Sequence, residues 1–227
     1  MHNSVVTTPY LWDIDNPNGY GNRIGRYRTE VESEFMFAHI GKSPKRILDM
    51  GGGSGRFARM LVQCGHDVTL VDKNPQAVAM AMERGVQRAI ACDILKFSGS
   101  DFDTVICMEV FQYFKNWDTL VSKAAECLNS SGTFVFCVTN SRSWRYRLRR
   151  LKNRSCEVHA CAPREIANCL KSHRFEVAAC KGFQWSLAQT GSDSFLVDAS
   201  VWIEKGLGLD NWLSQSPWLL YACRKTA

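Results

Sequence analysis

The chain has 227 residues, 45% of them hydrophobic, and a formal net charge of +6 at pH 7. This is enough apolar material for one α/β domain with a complete core, and no apolar run approaches the roughly 18 residues of a membrane span. Seven basic residues between positions 142 and 154 supply the whole net charge, so the basicity is local. Ten scattered cysteines and an N-terminus without a signal-peptide layout predict a cytoplasmic protein with reduced thiols.

The first 44 residues are predicted to form a cap segment ahead of the first strand. Residues 1–22 are rich in Asn, Pro, Gly and aromatic side chains and are expected to be irregular. Residues 23–40 place apolar side chains near one helical face, and the Gly-Lys-Ser-Pro run after them would end that helix.

A glycine cluster follows the predicted first strand, residues 46–50. Its glycines are spaced G-x-G-x-G: Gly51, Gly53 and Gly55. The residues after them have helical apolar spacing, so we predict a strand, a tight turn and a helix, the opening unit of a doubly wound sheet. Glycine accepts positive φ and lets a ligand approach bare backbone. A dinucleotide site would need its third glycine where Arg56 stands.

Acidic residues end the next two predicted strands. Asp72 closes the strand at 66–72, and Asp93 follows the strand at about 86–91. Together with Asp49 in front of the glycines, these residues resemble motif I and the later acids of class I S-adenosylmethionine (SAM)-dependent methyltransferases. The resemblance implies that the cofactor is SAM and that S-adenosylhomocysteine is the product.

The resemblance also implies a role for each cofactor residue. A carboxylate accepts two hydrogen bonds, so Asp72 can hold both hydroxyls of a ribose. Asp93 would accept the adenine amino group, while the backbone N–H of Ile94 meets a ring nitrogen. In the family the N-terminal segment packs over the cofactor mouth, where four side chains either reach the cofactor carboxylate or form a solvated helix face: Tyr20, Arg23, Tyr27 and Arg28. The predicted cofactor-binding set is Asp49, Gly51, Gly53, Gly55, Asp72, Lys73, Asp93, Ile94, Met108, Arg28 and Tyr20.

Three residues are the predicted catalytic candidates: Glu109, Tyr113 and His159. Residues 109–114, after a predicted fourth strand, resemble the family's Glu-Val-Leu-Glu-His-Val stretch between cofactor and substrate, with Tyr113 in place of the histidine. A phenol with a pKa of about 10 is a poor base at neutral pH, so Tyr113 would orient a substrate or simply pack. His159 is the best-placed base, because imidazole titrates near neutral pH, with a structural histidine as the alternative.

An arginine-rich stretch, residues 141–154, follows a turn at 129–132 and a predicted fifth strand at 133–138. Its apolar residues fall at i, i+4 and i+7: Trp144, Leu148 and Leu151. Beside an ordinary solvated helix, three predictions compete for it: a lid over the active site, a surface for an anionic substrate or nucleic acid, and a helix on an anionic membrane. Insertions after strand five are substrate lids in many methyltransferases that this sequence resembles, which favours the lid, at about 141–160.

The remaining chain is predicted to complete the sheet. A helix at 163–172 leads to a sixth strand at 175–180. A long connection, 183–215, has helical character at 197–205 and either covers the substrate pocket or packs in the core. The strand from Pro217 would, by the resemblance, insert antiparallel between strands five and six.

We therefore predict a Rossmann-like, doubly wound α/β fold of seven strands, the last one antiparallel, with helices on both faces, an N-terminal helical cap (1–44) and a SAM-binding domain (45–227) that carries the basic insertion. No metal is predicted, since the only compact Cys/His group lacks a second pair of ligands: Cys156, His159 and Cys161.

The predicted function is methyl transfer from SAM to an O or N atom of a small-molecule acceptor. Aromatic residues expected near the mouth suit a flat or apolar acceptor: Trp12, Tyr20, Phe111, Tyr113, Trp144 and Trp185. One alternative is methylation of RNA or another anionic substrate through residues 142–154. The other is a SAM-binding regulatory or partner protein without transfer activity.

Overall fold

The computed structural model describes residues 10–152, 158–186 and 192–226. Their strands are β1 (Arg46–Met50), β2 (Asp67–Asp72), β3 (Arg88–Ala91), β4 (Phe102–Cys107), β5 (Leu128–Thr139), β6 (Phe175–Phe183) and β7 (Trp218–Lys225). They form one sheet in the order β3-β2-β1-β4-β5-β7-β6. Strands β1 to β5 pair in parallel, whereas β7 lies antiparallel between β5 and β6. The predicted doubly wound fold is thus confirmed.

The helices of the described residues are α1 (Arg23–Ile40), α2 (Arg56–Gln63), α3 (Pro75–Glu83), α4 (Asp118–Cys127), α5 (Trp144–Lys152), α6 (Pro163–Ser172) and α7 (Leu196–Gly206). Short 3-10 helices occupy Ile94–Lys96, Phe111–Tyr113 and Leu209–Asn211. Within the described ranges, no helix combines the length and apolar character needed to cross a bilayer. The cysteines described there are all free thiols.

The sheet separates two hydrophobic cores, and β5 contributes to both. Phe134 and Phe136 point into the core that contains α4 and α6, while Val135 and Cys137 point into the core that contains α1 and α2. Successive side chains of a strand face opposite sides of the sheet, so a central strand covered on both faces must be apolar throughout. This is why the apolar run at 133–138 predicted a central strand correctly.

Helix starts follow local hydrogen-bonding rules. The side chain of Asn22 accepts the Gly25 N–H at the start of α1, and Asn74 accepts the Gln76 N–H at the start of α3. At the start of α6, the carboxylate of Glu165 accepts the backbone N–H of Ala162. These contacts account for α1 and α6 beginning where the sequence predicted them.

The predicted turn at 129–132 is wrong as a separate element, because β5 already begins at Leu128. Its pairing with β4 shifts register between the Phe102–Leu128 and Thr104–Thr133 pairs. The Asn129 side chain accepts the Ser131 N–H inside this irregular part, so the turn-forming residues produce a bulge in the strand.

Candidate active site

A cavity of about 530 Å³ opens at the carboxyl edge of the parallel strands, where ligands bind in open α/β sheets. Most of the predicted site residues line it: Tyr20, Asp49, Gly51, Gly53, Asp72, Lys73, Asp93, Ile94, Met108, Glu109 and Tyr113. Three predicted residues are not part of this lining: Arg28, Gly55 and His159.

The glycine turn after β1 forms one wall of the cavity with bare backbone. Gly51 has a φ of 75°, and a Cβ atom placed on it would lie 2.5 Å from a methyl group of Val110. Gly53 has a φ of 55°, and a Cβ there would lie 3.1 Å from the hydroxyl of Tyr10. The positive φ favours glycine at both positions, and at Gly51 the close approach of Val110 also leaves no room for a side chain. Gly55 lies behind this wall, at the N-cap of α2.

Two acidic side chains at neighbouring strand ends face the same cavity. The Asp72 carboxylate accepts the Gly53 N–H through Oδ2 and the Asn74 N–H through Oδ1, both at 2.9 Å. Asp93 accepts the Leu95 N–H at 3.0 Å. These backbone bonds fix the orientation of the carboxylates, and each oxygen of a carboxylate can accept a further hydrogen bond.

Asp49 is a third carboxylate in the lining, and it is only 1% exposed. Its Oδ2 has no hydrogen-bond partner within the described residues. Burial, and then repulsion by the charge of Asp72, raise the pKa of Asp49 to about 7. A buried carboxylate in this position would be stabilised by a cationic or hydrogen-bonding group in the cavity.

A buried network of four charged residues extends from the cavity wall to the residues behind it. The Arg28 guanidinium donates to Glu109, and Arg56 donates to Glu109 at 3.2 Å and to Glu32 at 2.8 Å. The guanidinium of Arg56 also lies 3.9 Å from the ring centroid of Tyr20. Arg28 therefore holds a cavity residue in place from behind, and its charge is already compensated.

Arg56 and Glu109 are the two members of this network that line the cavity, and the carboxylate among them is that of Glu109. Burial alone would raise its pKa, but the charges of Arg28 and Arg56 hold the pKa below its ordinary value. Its φ of 58° is uncommon for a residue other than glycine, and such strain persists only where surrounding contacts enforce it. An ionised carboxylate held between two arginines is a weak proton acceptor.

The other two catalytic candidates occupy different environments. Tyr113 lies at the cavity mouth, 57% exposed, and its pKa is raised by partial burial and then by the charge of Glu109, so it is a hydrogen-bond donor at neutral pH. The backbone N–H of His159 donates to the carbonyl of Gln112. The structure thus places Glu109 and Tyr113 together in the cavity and leaves His159 outside its lining.

Several lining residues were not predicted from the sequence: Tyr10, Ser54, Arg56, Asn74 and Phe114. Tyr10 lies in the irregular N-terminal segment, where no periodicity marks a contact. Of the six aromatic residues expected at the mouth, the lining contains Trp12, Tyr20 and Tyr113. Phe111 is instead buried in the core against Phe136, and Trp185 stacks on Trp212.

No residue of α5 or of the described part of 183–215 belongs to the cavity lining. The structure confirms the helices predicted at both places. However, Leu148 and Leu151, expected to face the substrate, are 41% and 83% exposed. The lid prediction is therefore not supported by the described residues, and 153–157 and 187–191 lie outside them.

Among the described residues, one group of side chains could hold a metal ion: Asp118, Cys169 and His173. This group lies between α4 and α6 and is not part of the cavity lining. The thiol of Cys169 and Nε2 of His173 lie 3.0 and 3.2 Å from the same oxygen of Asp118. These hydrogen bonds account for the cluster without an ion. Cys156 of the other Cys/His group lies outside the described residues.

Comparisons with known proteins agree with this geometry. Ubiquinone biosynthesis O-methyltransferase of Xanthomonas oryzae pv. oryzae is 24% identical over 137 residues, 57% of this chain and 56% of that protein. The enzyme of the same name from Rickettsia bellii is 23% identical over 217 residues, 86% of this chain and 90% of that protein. The chain thus spans little more than half the length of the first of these relatives.

Two solved structures share the fold. Magnesium protoporphyrin IX methyltransferase of Synechocystis PCC 6803, solved with S-adenosylhomocysteine, has a TM-score of 0.66 at 13% identity and covers 90% of this chain and 88% of its own. The 1,6-didemethyltoxoflavin N1-methyltransferase of Burkholderia thailandensis has a TM-score of 0.59 at 20% identity, and the match covers 88% of this chain and 78% of that enzyme's chain. A family model described as a methyltransferase domain matches residues 22–180, which is well over half of the sequence. The chain therefore belongs to this family of methyltransferase domains.

Proposed function

We propose that this protein transfers a methyl group from SAM to an oxygen or nitrogen atom of a small-molecule acceptor. The observation that carries the proposal is one cavity in which the carboxylates of Asp72 and Asp93 lie beside the bare backbone of Gly51–Gly53. Family membership and the SAM or S-adenosylhomocysteine bound in structural neighbours support it.

The residues in the cavity fit the chemical groups of SAM. Asp72 keeps acceptor capacity for two ribose hydroxyls, and Asp93 with the Ile94 backbone can pair with an adenine edge. The glycine wall presents bare backbone to the cavity, so a ligand can approach it without meeting a side chain. The unpartnered oxygen of Asp49 suits the positive charge of the methionine part of SAM.

When bound, SAM supplies a methyl group that its sulfonium already activates. The protein then has to hold the acceptor atom in line with this group and exclude competing arrangements. Tyr113 can donate a hydrogen bond to the acceptor at the cavity mouth. Glu109, held between two arginines, presents fixed negative charge beside it. Positioning, rather than a strong base, is the contribution we assign to these residues.

The cavity and the relatives indicate the kind of acceptor. Trp12, Tyr20, Tyr113 and Phe114 give the cavity an aromatic lining that suits a flat or apolar molecule. Related enzymes are named for O-methylation in ubiquinone biosynthesis, and a structural neighbour for N1-methylation of a heterocycle. We place the reaction in the cytoplasm, since free thiols are typical of a reducing compartment.

The proposal is tested by titrating the purified protein with SAM and S-adenosylhomocysteine in a calorimeter. We expect binding by the natural protein and a loss of at least about tenfold in affinity for Asp72→Ala, because hydrogen bonds to a charged group contribute about 1.5–3 kcal/mol. Asp67→Ala is the matched control, since Asp67 begins the same strand and its half-exposed carboxylate pairs with Arg88 at the surface. Equal affinity in the two variants, or no binding at all, would contradict the cofactor assignment.

Transfer is measured separately from binding. Incubation of the protein with SAM and a panel of phenols and nitrogen heterocycles should yield S-adenosylhomocysteine and a methylated acceptor. Tight cofactor binding without turnover on any acceptor would instead support a regulatory SAM-binding protein.

A further inference from the structure

Helix α5 presents leucine and arginine side chains to solvent on a part of the molecule that does not line the cavity. Leu148 and Leu151 lie one turn apart and are exposed, and Leu151 is among the most exposed apolar side chains described. Arg147, Arg149 and Arg150 are exposed around them. On a helical wheel these arginines flank the leucines on both sides, since neighbouring residues are separated by about 100°.

The base of α5 is fixed to the rest of the fold. The buried side-chain amide of Asn140 donates to the carbonyls of Leu213, Ser214 and Ser216, at 3.1, 3.3 and 2.9 Å. At the second residue of the helix, Arg145 donates to the carbonyl of Ser186. These contacts fix the start of α5 against the rest of the fold, so the exposed leucines and arginines of the helix have a defined position on the surface.

An exposed indole lies in the segment to which the base of α5 is bonded. Trp212 is 56% exposed, and one face of its ring stacks on Trp185 with the ring centroids 5.6 Å apart. The Trp185 ring is itself held by its N–H, which donates to the hydroxyl of Ser216. A supported indole that projects into solvent is typical of side chains that enter the interfacial region of a bilayer.

From this arrangement we infer that α5, with Trp212 beside its base, is a docking surface for an anionic lipid bilayer. Residues 141–154 contain seven basic and no acidic side chains, so the partner must carry negative charge. A nucleic acid would pair with the arginines but would leave Leu148 and Leu151 in water. A bilayer can contact both the leucines and the arginines, because leucine enters the boundary of the acyl chains while arginine reaches the headgroup phosphates.

Co-sedimentation of the full chain with vesicles tests this inference without any assay of methyl transfer. We expect binding to vesicles of phosphatidylglycerol and phosphatidylcholine, little binding to phosphatidylcholine alone, and weakening as salt is added. Replacing Arg147, Arg149 and Arg150 by Gln should weaken binding at least about tenfold, because each basic residue near an anionic surface adds to the attraction.

Leu148→Ser combined with Leu151→Ser should also weaken binding while leaving its salt dependence in place, since the arginines remain. Leu207→Ser, directly after α7, is the matched leucine control. Replacing Lys42, Lys115 and Lys171 by Gln is the matched charge control, because it removes three positive charges elsewhere on the surface. All of these side chains are exposed, and thermal unfolding checks that the variants fold.

Two results would overturn the inference. One is the absence of binding to anionic vesicles, together with retention on RNA that the leucine variant does not change; the surface would then be a nucleic-acid site. The other is equal vesicle binding by the leucine variant, the arginine variant and both controls, which would mean that α5 is not the docking element.

Discussion

The buried carboxylate of Asp49 links the cavity to the stability of the fold. Burial and the charge of Asp72 raise its pKa to about 7, whereas the pKa of an aspartate in an unfolded chain is about 3.9. The folded protein therefore retains a proton that the unfolded chain releases. The stabilisation that this bound proton gives the folded state is complete below about pH 4 and is lost as the pH rises to about 7.

Asp49→Asn should remove this pH dependence, because the amide has the shape of the protonated acid and does not titrate. Between pH 5 and pH 7 the free energy of unfolding of the natural protein should fall by about 2 kcal/mol more than that of the variant. Urea denaturation at several pH values measures the difference. The same slope in both proteins would mean that Asp49 is already ionised in the folded state.

At the scale of elements, one buried carboxylate links α7 to α1 and to the segment that follows β6. Glu204 accepts the hydroxyl proton of Tyr27 on α1 at 2.6 Å and the backbone N–H groups of Gln184 and Trp185 at 3.0 Å. These three donors have left water, so each needs an acceptor inside the protein. The position of α7 thus depends on polar contacts as well as on Val197, which is buried in the core beside α1.

Glu204→Ala should lower the free energy of unfolding by about 3 kcal/mol, because it removes the carboxylate that accepts from the Tyr27 hydroxyl and from two backbone N–H groups. Tyr27→Phe removes only one of these hydrogen bonds and should lower it by about 1 kcal/mol. Chemical denaturation of both variants gives the comparison. If Tyr27→Phe were as destabilising as Glu204→Ala, the carboxylate would not be the attachment point that its contacts indicate.

At the scale of the whole molecule, β7 joins the last part of the chain to its centre. Residues Leu219–Cys223 are buried, and the strand pairs with β5 on one side and β6 on the other. Without β7, both neighbours would expose an unpaired edge and the apolar residues that β7 covers. The seven-stranded sheet is therefore incomplete until β7 pairs with both β5 and β6.

A chain that ends at Ser216 should consequently lack a cooperative unfolding transition and should associate through its exposed strand edges. A chain that ends at Lys225 is the control, since it loses only the peripheral bonds of Thr226 to the Arg174 carbonyl. Circular dichroism on heating and gel filtration distinguish the two. A cooperative transition in the shorter chain would show that β5 and β6 hold together without the strand between them.

The sequence predicted the parts of the molecule that depend on local patterns. Asp72 and Asp93 could be placed at one cavity because the ends of parallel strands meet at one edge of the sheet. The charge network could not be predicted, because Arg28 and Glu109 are far apart in the chain and only packing brings them into contact. The direction in which α5 turns its leucines depends equally on distant contacts, such as those of Asn140 with the segment before β7.

The charge network also constrains how this protein can be recombined with its relatives. Arg28 and Glu32 belong to α1, while Arg56 and Glu109 belong to the part of the chain that forms the sheet and its loops. A chimaera that received a foreign N-terminal segment would leave Arg56 and Glu109 paired with each other but would take from each the partner that α1 supplies. Removing one partner from a buried ion pair is destabilising, because the remaining charge is less well compensated. Any exchange of that segment made to alter acceptor choice must transplant all four residues as a set.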